Sequence, residues 1–481
     1  MASYKLVIMV VAGREDEIKI LQNLLNNKGS EFLAVYGRRR IGKTYLIRQV
    51  YEKSIVFEAS GLHEKEMAQQ LESFWLALLD VSTTEKPTIP KTWLQAFSLL
   101  KIHLNHLESN KKKVIFLDEI AWFETPKSGF LAALDNFWNS YCSKRNDIIL
   151  VICGSAASWI IDKVINNKGG LHNRITAHIQ LMPFTLKETK QFLELSNVKL
   201  TLKDLATLYM SVGGVPFYLK DIKSGQSVPQ ILDELFFKPQ ALLKNEFGNL
   251  YASLFKNSDL HISIIKALAT KSKGLTRKEI LVDTKLTSGG GFSKLLDELV
   301  ACGFIKIIYP INKTKEDFLY RLVDEYSIFY FKFLQSNKVN SSWLQISNTQ
   351  SYKAWCGYAF ENLSFKHILN IKKALGINGI ISNEYSWIDK GKELEKGAQI
   401  DFIIDRNDNC INILELKFYD TVFEINKNYA EELQHKVTLF KKKTRTKKNV
   451  FITMLTANGV KNNEYYLSVI TNELKLLDLF K

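Results

Sequence analysis

The stretch "FLAVYGRRRIGKTYLIRQVYEK", residues 32–53, constrains the fold more than any other part of this sequence. An apolar run leads into the pattern G-x-x-x-x-G-K-T, and an amphipathic segment follows it. Glycines let the backbone N–H groups of such a loop turn toward phosphates, and the start of the next helix adds a positive end. The stretch therefore predicts a strand, a phosphate-binding loop and a helix in immediate succession.

Every position of this loop has an expected part in binding a nucleotide. Lys43 is expected to reach the β- and γ-phosphates, and the Thr44 hydroxyl is expected to hold Mg²⁺. The arginines and the isoleucine fill the variable positions, where the backbone rather than the side chain faces the phosphates. We expect at least one arginine to pair with an acidic residue of another domain or subunit. The predicted nucleotide-binding loop is Gly37, Arg38, Arg39, Arg40, Ile41, Gly42, Lys43 and Thr44.

A second apolar run, in "KKKVIFLDEIAWF", ends in two adjacent carboxylates, Asp118 and Glu119. A buried parallel strand would deliver both to the carboxyl edge of the sheet, where the loop also lies. We expect Asp118 to bind Mg²⁺ through water, and Glu119 to orient and deprotonate the attacking water. A glutamate directly after the magnesium aspartate favours hydrolysis over kinase or GTPase chemistry.

Two further residues are candidates for contact with the γ-phosphate. Ser155 ends the run "IILVICGS" and is placed to sense that phosphate from an adjacent strand, although a polar strand end also serves as a cap. Arg174 follows a glycine pair in "GGLHNRITAHIQLMPF". It would act as a finger on the ATP of a neighbouring subunit, which requires a homo-oligomer, or form a surface salt bridge.

Six short motifs occur between residues 10 and 220 in the order "GREDE", "YGRRRIGKT", "FLDEI", "CGS", "LMPF" and "GGVPFYL". In this order they resemble the archaeal and bacterial ATPase family within the AAA (STAND-like) P-loop proteins. The resemblance implies that the nucleotide is ATP, that "GREDE" lies near its base, and that a helical lid follows the core. Short apolar runs that alternate with helical stretches predict a parallel α/β sheet over the same residues.

The middle region carries the pattern of a winged helix in "GLTRKEILVDTKLTSGGGFSKLLDELVACGFIKIIYP". The expected elements are a helix at Leu275–Asp283, a second helix at Gly291–Cys302 and a wing strand at Phe304–Tyr309. Polar residues near the start of the second helix would meet the major groove of DNA, namely Lys285, Ser288 and Lys294. The alternative is a lever that packs on the ATPase core. The aromatic residues of "YRLVDEYSIFYFKF" are expected in the core or at an interdomain contact.

The C-terminal stretch "QIDFIIDRNDNCINILELKFYD" predicts two strands joined by a turn rich in Asn and Asp. Asp401 lies on the first strand, and Glu415 and Lys417 point to the same side of the second. Glu361, on a preceding helix, is a further candidate ligand. The carboxylates would bind Mg²⁺, which activates water and polarises a phosphodiester, and the lysine would orient the nucleophile or steady the developing charge.

This D…E-x-K pattern resembles the PD-(D/E)XK nuclease fold, and so does the C-terminal region that accompanies the same ATPase family. The resemblance implies an active nuclease with Asp401, Glu415 and Lys417 in catalytic roles. Ile400 stands where the fold sometimes has a proline. The alternative is a degenerate domain kept for binding DNA or protein. The predicted domains are a P-loop ATPase core at 1–220, a helical lid with a winged helix at 221–345, and a restriction-endonuclease-like α/β domain at 346–481.

Charge and cysteine content narrow the choice of partners. The formal charge of +15 suggests an anionic partner such as nucleic acid, although surface lysines that maintain solubility give the same total. The basic run Lys441 to Lys448 would line a phosphate backbone or solvate a helix end. The five scattered cysteines include no C-x-x-C pair, which disfavours a disulfide framework and a zinc site.

No apolar run approaches the roughly 20 residues of a membrane span, and "KLVIMVVAG" reads as a first strand rather than a signal peptide. We therefore expect a cytoplasmic protein without a membrane partner. The interpretation that unites these features is an ATP-dependent switch fused to a metal-dependent DNA nuclease, in a mobile-element or phage-defence setting. The alternative is a STAND-like signalling ATPase whose C-terminal domain is inactive and only binds a partner.

Overall fold

The computed structural model describes residues 11–82, 88–107, 111–166, 171, 173–255, 257–310, 318–335, 342–347, 349–391 and 396–481. The chain divides into two compact units, Met1–Pro183 with Ala252–Lys256 (unit 1) and Phe184–Tyr251 with Asn257–Lys481 (unit 2). The strand predicted in "KLVIMVVAG" falls mostly on residues 1–10, which lie outside the described residues. In the described ranges, no helix combines the length and the apolar character needed to cross a membrane.

Unit 1 is built on the parallel sheet that the sequence predicts. Its strands are β1 Glu31–Tyr36, β2 Ile55–Ser60, β3 Lys113–Asp118, β4 Ile148–Gly154 and β5 Ala177–Gln180. Their order is β2-β3-β4-β1-β5, and each neighbouring pair is parallel. Strands β1, β3 and β4 are buried along their whole length, which explains why they read as unbroken apolar runs.

The carboxyl ends of these strands carry the residues predicted for the nucleotide site. Strand β1 ends directly before Gly37, β3 ends at Asp118, and β4 ends directly before Ser155. Because β3 and β4 are neighbours and β4 adjoins β1, the three strand ends lie side by side. The topology therefore gathers the loop, the two carboxylates and the serine at one edge of the sheet.

Helices pack against this sheet through two apolar groups of residues. One core joins helices Glu15–Asn26 and Lys43–Tyr51 to the central strands. The other is a group of aromatic rings, in which the centroids of Trp93 and Phe130, and those of Phe97 and Phe137, are 4.9 Å apart. The remaining helical segments before Pro183 are Met67–Val81, Trp93–His106, Ile120–Trp122, Phe130–Ser140, Cys142–Lys144, Ala157–Ile160 and Ile161–Ile165.

Unit 2 begins with helices that bring the motifs "LMPF" and "GGVPFYL" together. The Phe184 N–H donates to the Gly214 carbonyl over 2.6 Å, and a Cβ at Gly214 would lie 1.9 Å from the Phe184 carbonyl oxygen. Gly214 is therefore a position where only glycine fits. Gly213 and Gly214 lie in the turn between helices Leu202–Val212 and Pro216–Leu219.

The other helical segments after Pro183 cover most of unit 2. They are Leu186–Leu195, Val228–Leu232, Asp233–Phe237, Glu246–Ala252, Ser258–Ala269, Arg277–Thr284, Gly290–Ala301, Glu325–Phe329, Tyr330–Leu334, Trp343–Ile346, Gln350–Lys366, Ile368–Ala374, Lys427–Thr444, Glu464–Val469 and Leu476–Phe480. The aromatic stretch "YRLVDEYSIFYFKF" lies in the core as expected, since Tyr326 and Phe329 are fully buried.

Unit 2 also contains an eight-stranded mixed sheet that joins the middle and C-terminal parts of the chain. Its strands are β6 Leu275–Thr276, β7 Ile305–Pro310, β8 Leu319–Leu322, β9 Ser382–Asp389, β10 Ala398–Arg406, β11 Cys410–Lys417, β12 Asn449–Thr456 and β13 Asn472–Lys475. Their order is β13-β12-β11-β10-β9-β7-β8-β6. Strand β7 pairs in parallel with β9, where Tyr309 lies opposite Tyr385. The β7–β8 hairpin is therefore continuous with the C-terminal strands.

The middle region follows the predicted order of elements with one shifted boundary. Leu275 and Thr276 form β6 rather than the first turn of a helix, and the helix begins at Arg277. The reason is a capping box, in which Thr276 Oγ1 accepts from the Glu279 N–H and Glu279 Oε2 accepts from the Thr276 N–H. The second helix and the first wing strand lie within one residue of their predicted bounds.

The register of the C-terminal hairpin places two predicted site residues opposite each other. Phe402 lies opposite Leu414, so Asp401 and Glu415 form the next cross-strand position. Strand β9, which the sequence analysis did not predict, pairs with β10 through an irregular register next to Asp401. Such irregularities re-aim side chains and are frequent beside functional sites.

Candidate functional site

The phosphate-binding loop begins and ends with glycines that its backbone requires. Gly37 has φ 148°, and a Cβ there would lie 2.2 Å from the Leu181 carbonyl oxygen. Gly42 has φ 89°, a left-handed conformation that only glycine adopts without strain. Helix Lys43–Tyr51 starts directly after it. The loop therefore runs into a helix N-terminus, where phosphates bind favourably.

Lys43, the residue predicted to reach the phosphates, is buried within this loop. Its Nζ donates to the Arg38 carbonyl oxygen over 3.0 Å, and the residue is 6% exposed. A buried ammonium requires such a partner, since an unpaired charge away from water is costly. The carbonyl thus holds the lysine in the position from which it can turn to a phosphate.

The Thr44 hydroxyl and the Asp118 carboxylate, both predicted to hold Mg²⁺, contact each other directly. Thr44 Oγ1 donates to Asp118 Oδ2 over 2.7 Å, although the two residues are 74 positions apart. A hydroxyl oxygen and a carboxylate oxygen are ligands that suit Mg²⁺. Because both converge beside the loop, these residues fit a magnesium ion bound together with a nucleotide.

Glu119 is held by Ser155 rather than exposed at the end of a turn. Glu119 Oε2 accepts from the Ser155 N–H over 3.2 Å and from its hydroxyl over 2.9 Å. The Glu119 backbone has φ 46°, an uncommon conformation for a residue other than glycine, and its N–H donates to Asp118 Oδ1 over 2.9 Å. The serine therefore fixes the carboxylate at the strand edge where a γ-phosphate would lie.

Gly61, which the sequence analysis did not select, lies against the backbone of Glu119. A Cβ at this position would approach the Glu119 carbonyl oxygen to 2.5 Å and the Trp122 Cβ to 2.9 Å. The Gly61 N–H also donates to the Asp118 carbonyl over 3.0 Å. The sequence carries no local signal for this role, because the close approach arises from the pairing of β2 with β3.

Arg14 is a second residue that sequence reasoning missed, although it lies within the "GREDE" motif. Its side chain is buried, and Nη2 donates to the Ile41 carbonyl of the loop over 3.3 Å. It also forms an ion pair with Glu17 at 3.6 Å. The motif therefore supports the conformation of the loop directly.

The remaining predicted arginines differ in their surroundings. Arg38 is buried, Arg40 is half-buried with φ 71°, and Arg39 is exposed. Arg174 is also exposed. Pairing of a loop arginine with another domain or subunit, and the finger role of Arg174, both stay predictions.

The C-terminal carboxylates form a second group, here called the acid site: Glu361, Asp401 and Glu415. Burial raises the pKa of Glu361 to about 7, with the nearby charge of Asp401 as the next cause and that of Glu415 as a weaker one. Arg321 opposes this shift from 3.5 Å. The fold thus brings the three predicted carboxylates within electrostatic range of one another.

Glu415 is the most strongly held member of the acid site. Its Oε1 accepts from the Tyr429 hydroxyl over 2.6 Å and lies 3.1 Å from Lys417 Nζ, and its Oε2 accepts from Lys436 Nζ over 3.0 Å. Burial opposes ionisation, but Lys436 and Lys417 bring the pKa of Glu415 below its usual value. Lys436 lies on helix Lys427–Thr444, and the structure places it on this carboxylate.

The residue types of the acid site suit a divalent cation, but its three carboxylates do not converge on a metal position in this structure. Carboxylate oxygens are the ligands that Mg²⁺ and Mn²⁺ prefer, and a cation would relieve the like-charge repulsion. Within the described part of the chain, no three His, Cys, Asp or Glu side chains already converge on a metal position. Tyr429, Lys417 and Lys436 account for this at Glu415, because they occupy its oxygens.

The fold and the loop geometry of unit 1 define a P-loop ATPase. Residues 12–222 match the family model of an ATPase domain found predominantly in Archaea. These residues of the chain therefore form an ATPase domain similar to those found predominantly in Archaea. The match passes Pro183, so the family domain includes the first helices of unit 2.

Three proteins are similar to this chain over different parts of its length. The uncharacterized protein MJECL04 of Methanocaldococcus jannaschii is 24% identical over 425 residues, 85% of this chain and 87% of that protein. The uncharacterized ATP-binding protein MJ0423 of the same organism is 34% identical over 53 residues, 11% of this chain and 90% of that protein. The Walker-type ATPase PABY2304 of Pyrococcus abyssi shares the fold, with a TM-score of 0.50 and 16% identity over 67% of this chain and 96% of that chain.

Proposed function

We propose that this chain is an ATP-hydrolysing switch whose C-terminal part is a DNA-binding, metal-dependent nuclease-like module. The observation that carries the first half is the meeting of Thr44 with Asp118 and of Glu119 with Ser155 at one sheet edge. These pairs supply a magnesium-binding position and a positioned general base, which are the parts that ATP hydrolysis needs.

The residues of unit 1 divide the work of hydrolysis among them. Lys43 exchanges the Arg38 carbonyl for the β- and γ-phosphates of ATP. Thr44 and Asp118 would hold Mg²⁺, an ion that supplies positive charge opposite the phosphates. Glu119 orients a water and accepts its proton, while Ser155 keeps the carboxylate in place and stands next to the γ-phosphate.

The middle region is proposed to contact DNA as a winged helix. The order of its elements, a helix, a short strand, two helices and the β7–β8 hairpin, supports this fold. Lys285, Ser288 and Lys294 are exposed near the start of the second of these two helices, where such a fold meets the major groove. The lever role remains the competing proposal, because an exposed lysine also serves solubility alone.

The C-terminal module is proposed to hydrolyse phosphodiesters. Asp401 and Glu415 face each other across a hairpin, Glu361 adds a third carboxylate, and Lys417 lies beside Glu415. The competing proposal is an inactive binding module, and the ion pair of Lys436 with Glu415 favours it because that pairing satisfies the carboxylate without a metal.

Cleavage of supercoiled plasmid DNA with Mg²⁺ or Mn²⁺ tests the nuclease proposal. We expect the parent protein to cut, and Asp401→Ala and Lys417→Ala each to reduce cutting by about 100-fold. Lys461→Ala is the matched control, since it removes an exposed lysine of the same unit that pairs with Glu424. If all variants cut as well as the parent, the nuclease assignment is wrong, and absence of cutting by the parent favours the binding module.

A further inference from the structure

The acid site is neutralised by three cations of the protein itself, and one of them comes from another part of the chain. Lys417 and Lys436 lie on Glu415 and belong to the C-terminal module. The third, Arg321, lies on β8 of the middle region and forms an ion pair with Glu361 at 3.5 Å. The side chain of Arg321 is 6% exposed.

Arg321 is held by contacts with the faces of aromatic rings and by attraction to a carboxylate, not by a bidentate pair of hydrogen bonds. Its guanidinium carbon lies 5.3 Å from the ring centroid of Tyr358 and 5.0 Å from that of Phe365. Among the described residues, Nε and Nη2 are buried and have no hydrogen-bond partner. An ion pair of 3.5 Å is longer than a charge-assisted hydrogen bond. The contact to Glu361 can therefore give way without breaking a bidentate bond.

We propose that Arg321 is a built-in counter-ion of Glu361 through which the β7–β8 hairpin opposes cation binding at the acid site. The inference rests on the proposed metal-binding role of that site. A positive charge beside Glu361 repels a divalent cation. The ion pair also occupies a carboxylate that the cation would need as a ligand. Because Arg321 belongs to the hairpin and Glu361 to helix Gln350–Lys366, the hairpin contributes a positive charge that lowers the cation affinity of the module.

Titration of the full chain with Mn²⁺ in a calorimeter tests this proposal. The heat of Mn²⁺ binding that is lost when Asp401→Ala is introduced is assigned to the acid site. We expect Arg321→Met and Arg321→Gln each to tighten this binding by about tenfold or more, because a nearby positive charge is lost. Arg321→Lys keeps the charge and should bind as the parent does. Lys448→Met is the matched control, since it removes a cation that pairs with Asp405 at the other end of β10.

The outcomes separate this inference from the proposed function. Mn²⁺ binding that depends on Asp401 but is unchanged or weaker in both neutral Arg321 variants overturns the counter-ion role and leaves the acid site intact. Mn²⁺ binding that depends on Asp401 and appears only in Arg321→Met and Arg321→Gln supports the counter-ion role. If neither the parent nor these variants show Asp401-dependent binding, the acid site is not a cation site and both proposals fail. The circular dichroism spectrum of each variant establishes that it is folded.

Discussion

Both backbone packing and side-chain hydrogen bonds position Glu119 in the predicted nucleotide site. Gly61 leaves room for the Glu119 carbonyl, and Glu119 itself has a left-handed backbone conformation. Ser155 then holds the carboxylate through two hydrogen bonds. A general base requires this kind of support, because a displacement of about 1 Å lowers the rate of a positioned reaction by about 100-fold.

Replacement of Gly61 by alanine should therefore slow ATP hydrolysis without abolishing ATP binding. The new Cβ would displace the Glu119 backbone, so we expect turnover to fall at least about tenfold while the Kd for ATP changes less than about threefold. Steady-state hydrolysis and binding of a fluorescent ATP analogue measure the two effects. Gly29→Ala is the control, since nothing lies within 4 Å of a Cβ there. Equal loss in both variants would contradict the role of Gly61.

His367 should make unit 2 sensitive to mild acid. Burial lowers its pKa from the usual 6.5 to about 4, and its Nε2 accepts from the Leu186 N–H over 3.0 Å. Between these pH values the unfolded chain binds a proton that the folded chain does not, so stability is full above pH 6.5 and is lost as the pH falls toward 4. The loss reaches about 3 kcal/mol.

Thermal midpoints of the parent and of His367→Gln, measured between pH 7.5 and 4.5, check this expectation. The glutamine can still accept from Leu186 but does not titrate. The difference between the two midpoints should therefore shrink as the pH falls. Parallel curves for the two proteins would show that His367 does not contribute to the acid sensitivity.

The elements of this protein differ in how well local sequence predicts them. Strand β1, the loop and the helix after it follow from local pattern, and so does the Asp401–Glu415 pairing, because both depend on neighbouring residues. Strand β9 was missed, since the alternation in its half-exposed sequence is weak. Gly61 and Arg321 were missed because their roles arise from packing between segments distant in sequence.

The turn at Gly214 gives an element-scale prediction. A Cβ would overlap the Phe184 carbonyl oxygen, so Gly214→Ala should destabilise the protein by about 2–3 kcal/mol and lower the thermal midpoint by several degrees. Gly357→Ala is the control, because it lies inside a helix with no neighbour within 4 Å and should be neutral or stabilising by up to about 1 kcal/mol. Similar midpoints for the two variants would contradict a required glycine at position 214.

At the scale of the whole molecule, the residues proposed for ATP hydrolysis and the residues of the acid site lie in different units. The nucleotide residues lie in unit 1, whereas the acid site lies in unit 2 on a sheet that includes the β7–β8 hairpin. The sequence predicts a winged helix and a nuclease as separate domains, and periodicity alone cannot reveal that their strands pair at Tyr309 and Tyr385. The similarity to MJECL04 extends past the ATPase domain into unit 2.

ATP turnover by a Glu119→Gln variant tests the central claim most directly. The amide keeps the size of the side chain but cannot accept a proton, so we expect ATP binding like that of the parent and hydrolysis reduced by about 100-fold or more. Glu52→Gln, at an exposed carboxylate of the same unit, should hydrolyse ATP normally. Undiminished hydrolysis by Glu119→Gln would contradict the assignment of Glu119 as the general base of this ATPase.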